Sequence, residues 1–136
     1  AQSELLGDVV DTDYGYDWWW PFNASLQMYD NGYYSYLPYF TLYKFVKSAN
    51  DVISVVDVTD PTITDEIRGL GSISHAFRAF SYYTLMVLFE PVENIYTDCS
   101  KVLGLTVPIV TEETTNDIAK SNPRATHEEM VNFILS

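Results

Sequence analysis

The sequence is poor in cysteine and in basic residues, and each shortage excludes a class of protein. Cys99 is its single cysteine, so no disulfide can form within the chain. Lysine and arginine number 7 against 19 acidic residues, which gives a formal net charge of −12. No basic face is therefore available to bind nucleic-acid phosphates or an anionic lipid surface. An uncharged ligand such as a sugar is indifferent to this charge.

Long hydrophobic runs and catalytic motifs are also missing. No segment reaches the roughly 20 apolar residues that a membrane-spanning helix needs, and no signal peptide is present. No G-x-S-x-G, no glycine-rich phosphate loop and no H-E-x-x-H occurs, although the abundant carboxylates leave a glycosidase pair open. Hydrophobic residues make up 47% of the chain, enough for a packed core. We expect a folded, non-catalytic domain, or a piece of a larger one, with no cofactor.

Apolar spacing predicts an all-α fold. One helix is expected from Tyr36 to about Val58, because apolar residues recur there at steps of three and four. Asp60-Pro61 should end it. A second helix, capped by Thr62 or Thr64, should run to Phe89, and its run from Phe80 onward is apolar on nearly every side, which predicts burial between neighbouring helices. Its apolar stripe consists of Ile67, Leu70, Ile73, Phe77, Phe80, Thr84, Val87 and Leu88.

The remainder reads as a long connection followed by the start of a third helix. Val107–Val110 is the one apolar segment within residues 91–124, and it should pack that loop against the helices. Glu112–Asn122, by contrast, is polar. Thr126 and Glu129 have the spacing of a capping box. The predicted division is 1–35 irregular, 36–90 a helical hairpin, 91–124 a long loop and 125–136 the start of a third helix. Because that helix stops within its first turns, we expect a fragment of a larger helical protein.

Several polar residues are candidates for a site or for the core. Asn50 and Arg78 interrupt apolar helix faces, and we favour hydrogen bonding across the helix pair over ligand contact. The acidic group near the N-terminus lacks the glycine and final glutamate of a calcium loop, so a solvated loop is favoured. His75, His127 and Cys99 share no metal-ligand spacing, so no metal site is predicted. The acidic group consists of Asp8, Asp11, Asp13 and Asp17.

Three segments in this order resemble the SusD/RagB family of outer-membrane nutrient-binding lipoproteins. Tyr43–Ile53 is similar to the family's Y-x-x-I-x-x-a-N-x-x-I helix, and Phe77–Phe89 to its L-R-A-f-x-Y-f-x-L-x-x-l-f helix. Val107–Val110 followed by Pro123–Glu129 resembles v-P-l-v and P-R-a-T-x-e-E. The resemblance covers roughly residues 36–136, and each segment alone is weak. Their common order and spacing carry the identification.

The resemblance implies a non-catalytic protein that binds glycans at the cell surface. Such proteins are built on tetratricopeptide-like helix pairs and deliver their ligand to a TonB-dependent, SusC-like transporter in the outer membrane. Family members are several times longer than this chain. This sequence departs from the pattern at Ile73-Ser74, where Glu-Ala is usual, and at Glu90, where glycine is expected. It also lacks the family's lipid-bearing N-terminal cysteine, so the membrane anchor is implied by the resemblance alone.

The aromatic residues are concentrated at the start of the chain, where 14 of 21 lie in the first 45 positions. Trp18, Trp19 and Trp20 are adjacent, with Asn23 close behind. Tryptophan rings stack on the C–H faces of sugars, and a nearby amide can bond their hydroxyls. Sealing of the core is the other interpretation of this cluster. The resemblance favours a ligand platform at Trp18, Trp19, Trp20 and Asn23.

Two other functions stay open at this point. A helical interaction module, docking a peptide or protein through the aromatic N-terminal region, is the second hypothesis. A carbohydrate-active enzyme is the third. Titration with glycans separates binding of sugars from binding of proteins, and turnover of the same glycans separates an enzyme from both.

Overall fold

The computed structural model describes residues 33–95 and 97–136. Within them lie four helices: α1 Tyr33–Ile53, α2 Asp65–Phe89, α3 Asn116–Ala119 and α4 His127–Leu135. These residues contain no β-strand, and Leu105 and Thr126 form an isolated antiparallel bridge. The all-α prediction is therefore confirmed. Contacts divide the chain into two compact units, Ala1–Phe40 and Thr41–Ser136, and the second is described below.

Helix α1 ends earlier than the sequence predicted. Its last residue is Ile53, well before the proline at position 61. Ser54 and Val56 still donate their N–H groups to carbonyls four residues back, but Val55 bonds to Val52, only three residues back. This tightening occurs in a run of β-branched residues, which are poor helix formers. The local chain, not the proline, therefore ends the helix.

Helix α2 begins and ends where the sequence predicted. The hydroxyl of Thr64 accepts the N–H of Ile67 at 3.3 Å, which identifies Thr64 as the N-cap. Asp65 and Glu66 follow in the first turn, where negative charge is favourable. The helix ends at Phe89, next to Glu90 and the proline after it. The capping residue and the Glu-Pro stop were both readable from the sequence.

The buried face of α2 is not the stripe that the sequence predicted. Most residues of that stripe are exposed, and Phe80 is the most exposed of them at 64%. The exposed residues are Ile67, Leu70, Ile73, Phe77, Phe80, Val87 and Leu88. The buried face instead consists of Gly71, Ser81, Tyr82 and Leu85. Because α2 is apolar on nearly every side from Phe80 onward, periodicity could not tell which face meets α4. Gly71 marks a close approach on this helix, to Val56 and Val58 in the connection that follows α1.

The segment around Val107 connects the loop to the start of α4. Thr106 donates its N–H to Ala125 at 2.7 Å, and Ala125 donates to Val107 at 3.2 Å. Thr106 and Val107 are both fully buried. This confirms that the apolar segment at Val107 holds the long connection in place. The polar stretch that follows is mostly exposed and contains the short helix α3.

Helix α4 starts with the predicted capping box. The Thr126 hydroxyl accepts the N–H of Glu129 at 3.2 Å, while the Glu129 carboxylate accepts the N–H of Thr126 at 2.7 Å. The helix packs against α2 and buries Met130 completely. In the described part of unit 41–136, the buried apolar core consists of Val46, Ala49, Tyr82, Leu85, Val107 and Met130.

Gly71 and Gly69 offer a matched test of the close packing of α2. A Cβ at Gly71 would lie 2.6 Å from Val58 Cγ1 and 2.8 Å from Val56 Cγ1, whereas one at Gly69 meets nothing within 4 Å. Gly69→Ala should raise the free energy of unfolding by roughly 0.5–1 kcal/mol, because alanine is the better helix former. Gly71→Ala should lower it by about 1–3 kcal/mol, because valine side chains are stiff and overpacking is costly. Urea denaturation measures both, and equal stabilisation by the two variants would contradict the packing.

Candidate functional site

Side chains from α1 and α2 hold the segment Pro108–Glu112, here called the strap. Tyr43 on α1 donates its hydroxyl hydrogen to the carbonyl of Pro108. Asn50, two helical turns further along α1, donates from Nδ2 to the Val110 carbonyl at 3.0 Å. Tyr82 on α2 accepts the Val110 N–H at 2.7 Å and donates to the Val110 carbonyl at 2.9 Å. One tyrosine hydroxyl therefore satisfies both backbone groups of Val110, as its donor and acceptor capacity allows.

Arg78 ties the helix pair to the end of the strap. Its Nη1 donates to Asn50 Oδ1 at 3.0 Å and to Glu112 Oε2 at 2.6 Å. The two charged side chains are 12% and 29% exposed, so water screens this ion pair less than a surface pair. The bond between Arg78 and Asn50 confirms that these residues hydrogen-bond across the helix pair, the interpretation that the sequence favoured.

Aromatic rings pack beneath these hydrogen bonds. The rings of Tyr43 and Tyr82 meet edge to face at 6.3 Å between centroids, and those of Tyr82 and Phe133 at 5.3 Å. The guanidinium carbon of Arg78 lies 5.1 Å from the centre of the Phe133 ring. Edge-to-face pairs and a cation over a ring are both favourable geometries. Phe133 of α4 thus supports the arginine and the tyrosine together.

Glu112 is ionised because its partners outweigh its partial burial. Burial opposes the charged form, but the Glu112 backbone N–H, the Arg78 hydrogen bond and the charges of Arg78 and His75 favour it. Together they hold the pKa of Glu112 below its ordinary value. The carboxylate therefore carries its charge at neutral pH and stays paired with Arg78.

Two grooves flank this network. The larger, of about 380 Å³, runs between α2 and the end of α4; Ser72, His75, Arg78, Ala79, Phe133 and Ile134 line it. The smaller, of about 180 Å³, lies between α1 and α2; Phe45, Ile73, Ser74 and Phe77 line it. The larger groove falls within the size range of small-molecule sites, and the smaller falls below it.

The residues predicted to bind ligand lie outside the residues that the structure describes. This applies to Trp18, Trp19, Trp20 and Asn23, and equally to the acidic group at positions 8–17. Of the metal candidates, His75 lines the larger groove, and His127 contacts the carboxylate of Glu90 at 2.9 Å. Within 33–95 and 97–136 no group of three or more His, Cys, Asp and Glu side chains is arranged to hold a metal ion.

Sequence reasoning missed the parts of the network that depend on tertiary contacts. The sequence placed Tyr43 and Tyr82 within the two family-like helical segments but gave their hydroxyl groups no partner. Glu112 was placed in an exposed loop, with no signal that Arg78 would pair with it. Phe133 was not singled out. A buried tyrosine needs a partner for its hydroxyl, so Tyr82 carried a usable signal, whereas Glu112 carried none.

Comparison with known proteins decides the family. A family model described as starch-binding and associating with the outer membrane matches residues 5–136. The chain belongs to the SusD-like family. This confirms the resemblance of its helical segments and its P-R-a-T turn. No curated protein and no solved structure gives a significant match.

SusD-like proteins are a binding family without catalytic activity, associated with the outer membrane. In the part of the chain that the structure describes, no helix is both long and apolar enough to cross a membrane. The network of α1, α2 and the strap falls on the segments that carried the resemblance. In this chain the asparagine, arginine and tyrosine of those helical segments are Asn50, Arg78 and Tyr82, and all three make tertiary hydrogen bonds.

Replacing Tyr82 by phenylalanine tests the hold on the strap. Tyr82→Phe keeps the buried ring but leaves both backbone groups of Val110 without the hydroxyl, so the free energy of unfolding should fall by about 1–3 kcal/mol. Tyr83→Phe is the matched control, since its side chain is exposed, and should change stability by less than about 0.5 kcal/mol. Chemical denaturation measures both. Equal effects would contradict the role of the Tyr82 hydroxyl.

The ion pair of Glu112 should make stability depend on pH in the acid range. Because the pKa of Glu112 is lower in the folded than in the unfolded chain, its contribution is full above the ordinary glutamate pKa and disappears as pH falls below about 4. Glu112→Gln should therefore destabilise by about 1 kcal/mol at pH 7 and by much less at pH 3. Glu113→Gln, at the exposed neighbour, serves as control. A penalty for Glu112→Gln that persists undiminished at pH 3 would contradict the ion pair.

Proposed function

We propose that this chain is part of a non-catalytic protein that binds glycans at the outer surface of the outer membrane and delivers them to a TonB-dependent, SusC-like transporter. The observation that carries the proposal is the match to a starch-binding, outer-membrane-associated family over residues 5–136. Anchoring through a lipid and partnership with the transporter are proposed by analogy with SusD-like proteins. The net charge of −12 is compatible with an uncharged polysaccharide.

The ligand platform is proposed at Trp18, Trp19 and Trp20, with Asn23 as the polar contact. Large flat rings beside an amide combine the apolar face and the hydrogen-bonding group that a sugar needs. Seven of the 14 aromatic residues in the first third of the chain, the three tryptophans among them, precede α1 in the sequence, and the other seven lie on α1. The tryptophan cluster thus lies outside the described helical segments in sequence, which supports giving it a binding role distinct from the core.

Five carboxyls in the described part of unit 41–136 have lowered pKa values, so none of these five is suited to be the general acid of a glycosidase. A glycosidase needs one carboxylic acid that stays protonated, which requires a raised pKa. Hydroxyl and backbone N–H donors instead lower the pKa values of four exposed carboxyls, in each case through a neighbouring Thr or Ser. These four carboxyls belong to Asp57, Asp60, Asp98 and Glu129. The pKa of Glu112 is lowered as well, with the Arg78 ion pair among the causes.

A second candidate function has an observation of its own. The exposed stripe of α2 includes Phe77, Phe80 and Val87, which are 56%, 64% and 62% exposed. Contiguous apolar side chains of this kind are typical of protein interaction surfaces. This favours a helical interaction module as the alternative. The sequence placed the docking surface of such a module in the aromatic N-terminal region, whereas the exposed stripe of α2 offers a second surface for a protein ligand.

Tryptophan fluorescence gives a direct test, because the three tryptophans of the chain are adjacent. We expect a saturable change when the intact protein is titrated with soluble starch oligosaccharides, within a panel of other glycans. Trp20→Ala should weaken this binding roughly fivefold to tenfold through loss of ring stacking, and Trp20→Phe should restore part of it. Titration calorimetry of the same variants gives the affinity independently of the fluorescence that the substitution removes.

Phe80→Ala is the matched control, since it removes an exposed ring outside the cluster. It should leave glycan affinity unchanged. Loss of glycan binding in Phe80→Ala but not in Trp20→Ala would overturn the proposed platform. No response to any glycan by a folded protein would overturn glycan binding and favour the interaction module.

A further inference from the structure

The larger groove, between α2 and α4, contains an arginine that is only partly used by the protein. The hydrogen bonds of Arg78 to Asn50 and Glu112 are both made by the same nitrogen, Nη1. In the part of the chain that the structure describes, its Nε and Nη2 have no hydrogen-bond partner, and no buried side-chain nitrogen or oxygen there is left unpaired. Nε and Nη2 therefore keep contact with solvent. Because Arg78 lines the groove, these N–H groups are available to an acceptor bound there.

The guanidinium is also fixed in place. Asn50 and Glu112 hold one end of it, and the Phe133 ring lies 5.1 Å from its central carbon. Its side chain is 12% exposed, so little freedom remains for a ligand to remove. A donor that is already ordered costs less entropy to engage than a flexible surface arginine.

Charge and shape point to an uncharged ligand. Glu112 already neutralises Arg78, and the chain carries a net charge of −12, so an anion gains little here. The wall of Val58, Ala79, Phe133 and Ile134 is apolar and suits C–H faces. The exposed imidazole of His75 stands at the same groove as a second polar group. A volume of about 380 Å³ is enough for a small ring with hydroxyl groups.

We propose that this groove is a second, auxiliary saccharide subsite, in which Arg78 donates from Nε or Nη2 to oxygens of an uncharged sugar ring packed against Phe133 and Ile134. The proposal rests on the proposed function in taking a glycan as ligand. The subsite consists of other residues than the proposed platform, since it lies on α2 and α4 and requires none of the tryptophans.

Two serines on α2 provide a matched pair of variants. Ser72 and Ser74 each donate a hydroxyl to the carbonyl four residues back, at 2.9 and 3.0 Å. Two residues apart on a helix, they point about 200° apart. Ser72 lines the larger groove and Ser74 the smaller one. Ser72→Leu therefore narrows the proposed subsite, while Ser74→Leu makes the same chemical change outside it and leaves Arg78 intact.

The experiment is an NMR titration of the intact protein with maltoheptaose, a soluble starch fragment. The Ile134 methyl and the His75 ring report on the groove, and the indole signals report on the tryptophan cluster. We expect saturable shifts at Ile134 and His75, weakened about tenfold in Ser72→Leu and unchanged in Ser74→Leu. The indole response should be the same in both variants.

The outcomes separate the subsite from the proposed platform. Indole shifts without groove shifts would overturn the subsite and leave the platform standing. Groove shifts without indole shifts would support the subsite and count against the platform. Equal weakening by Ser72→Leu and Ser74→Leu, or tighter binding of a uronic-acid oligosaccharide at the groove signals, would overturn the subsite as an uncharged-sugar site. If neither the groove signals nor the indole signals shift, both proposals are overturned.

Discussion

The backbone groups of Pro108–Val110 run against the apolar faces of two helices, and a buried peptide group without a partner is costly. In this chain side chains supply the partners. Tyr43 bonds the carbonyl of Pro108, Asn122 that of Ile109, and Tyr82 bonds both polar groups of Val110. A segment without regular secondary structure can therefore pack, partly buried, against the helices. The positions of α1, α2 and the strap depend on this exchange of hydrogen bonds.

Arg78 extends the same network from neutral to charged groups. Through one nitrogen it joins Asn50, which also bonds Val110, to Glu112 at the end of the strap. Removing one member leaves the others with unmet hydrogen-bonding capacity, so the network should behave cooperatively. Such a network favours one register of the strap, because a shift by one residue would present the wrong backbone groups.

The sequence predicted the helices better than their packing. Local signals identified Thr64 as a cap and Thr126 with Glu129 as a capping box, because capping uses residues only a few positions apart. Proline at 61 was a misleading signal for the end of α1, since the valine-rich stretch ends the helix first. The apolar stripe of α2 was assigned to the core, yet Phe77 and Phe80 are exposed. From Phe80 onward α2 is apolar on nearly every side, so its sequence gives no periodic signal for which face is buried.

The candidate site was predictable only in part. The hydrogen bond between Asn50 and Arg78 was expected because polar residues within apolar faces need partners. The pairing of Arg78 with Glu112 spans 34 positions and was not predictable, since it depends on the path of the long connection. The placement of Trp18–Trp20 against a sugar remains a prediction. A crystal structure of the intact protein with a bound starch oligosaccharide is the most direct test. The account predicts a sugar ring stacked on at least one of these tryptophans, whereas a bound oligosaccharide that contacts none of them would contradict it.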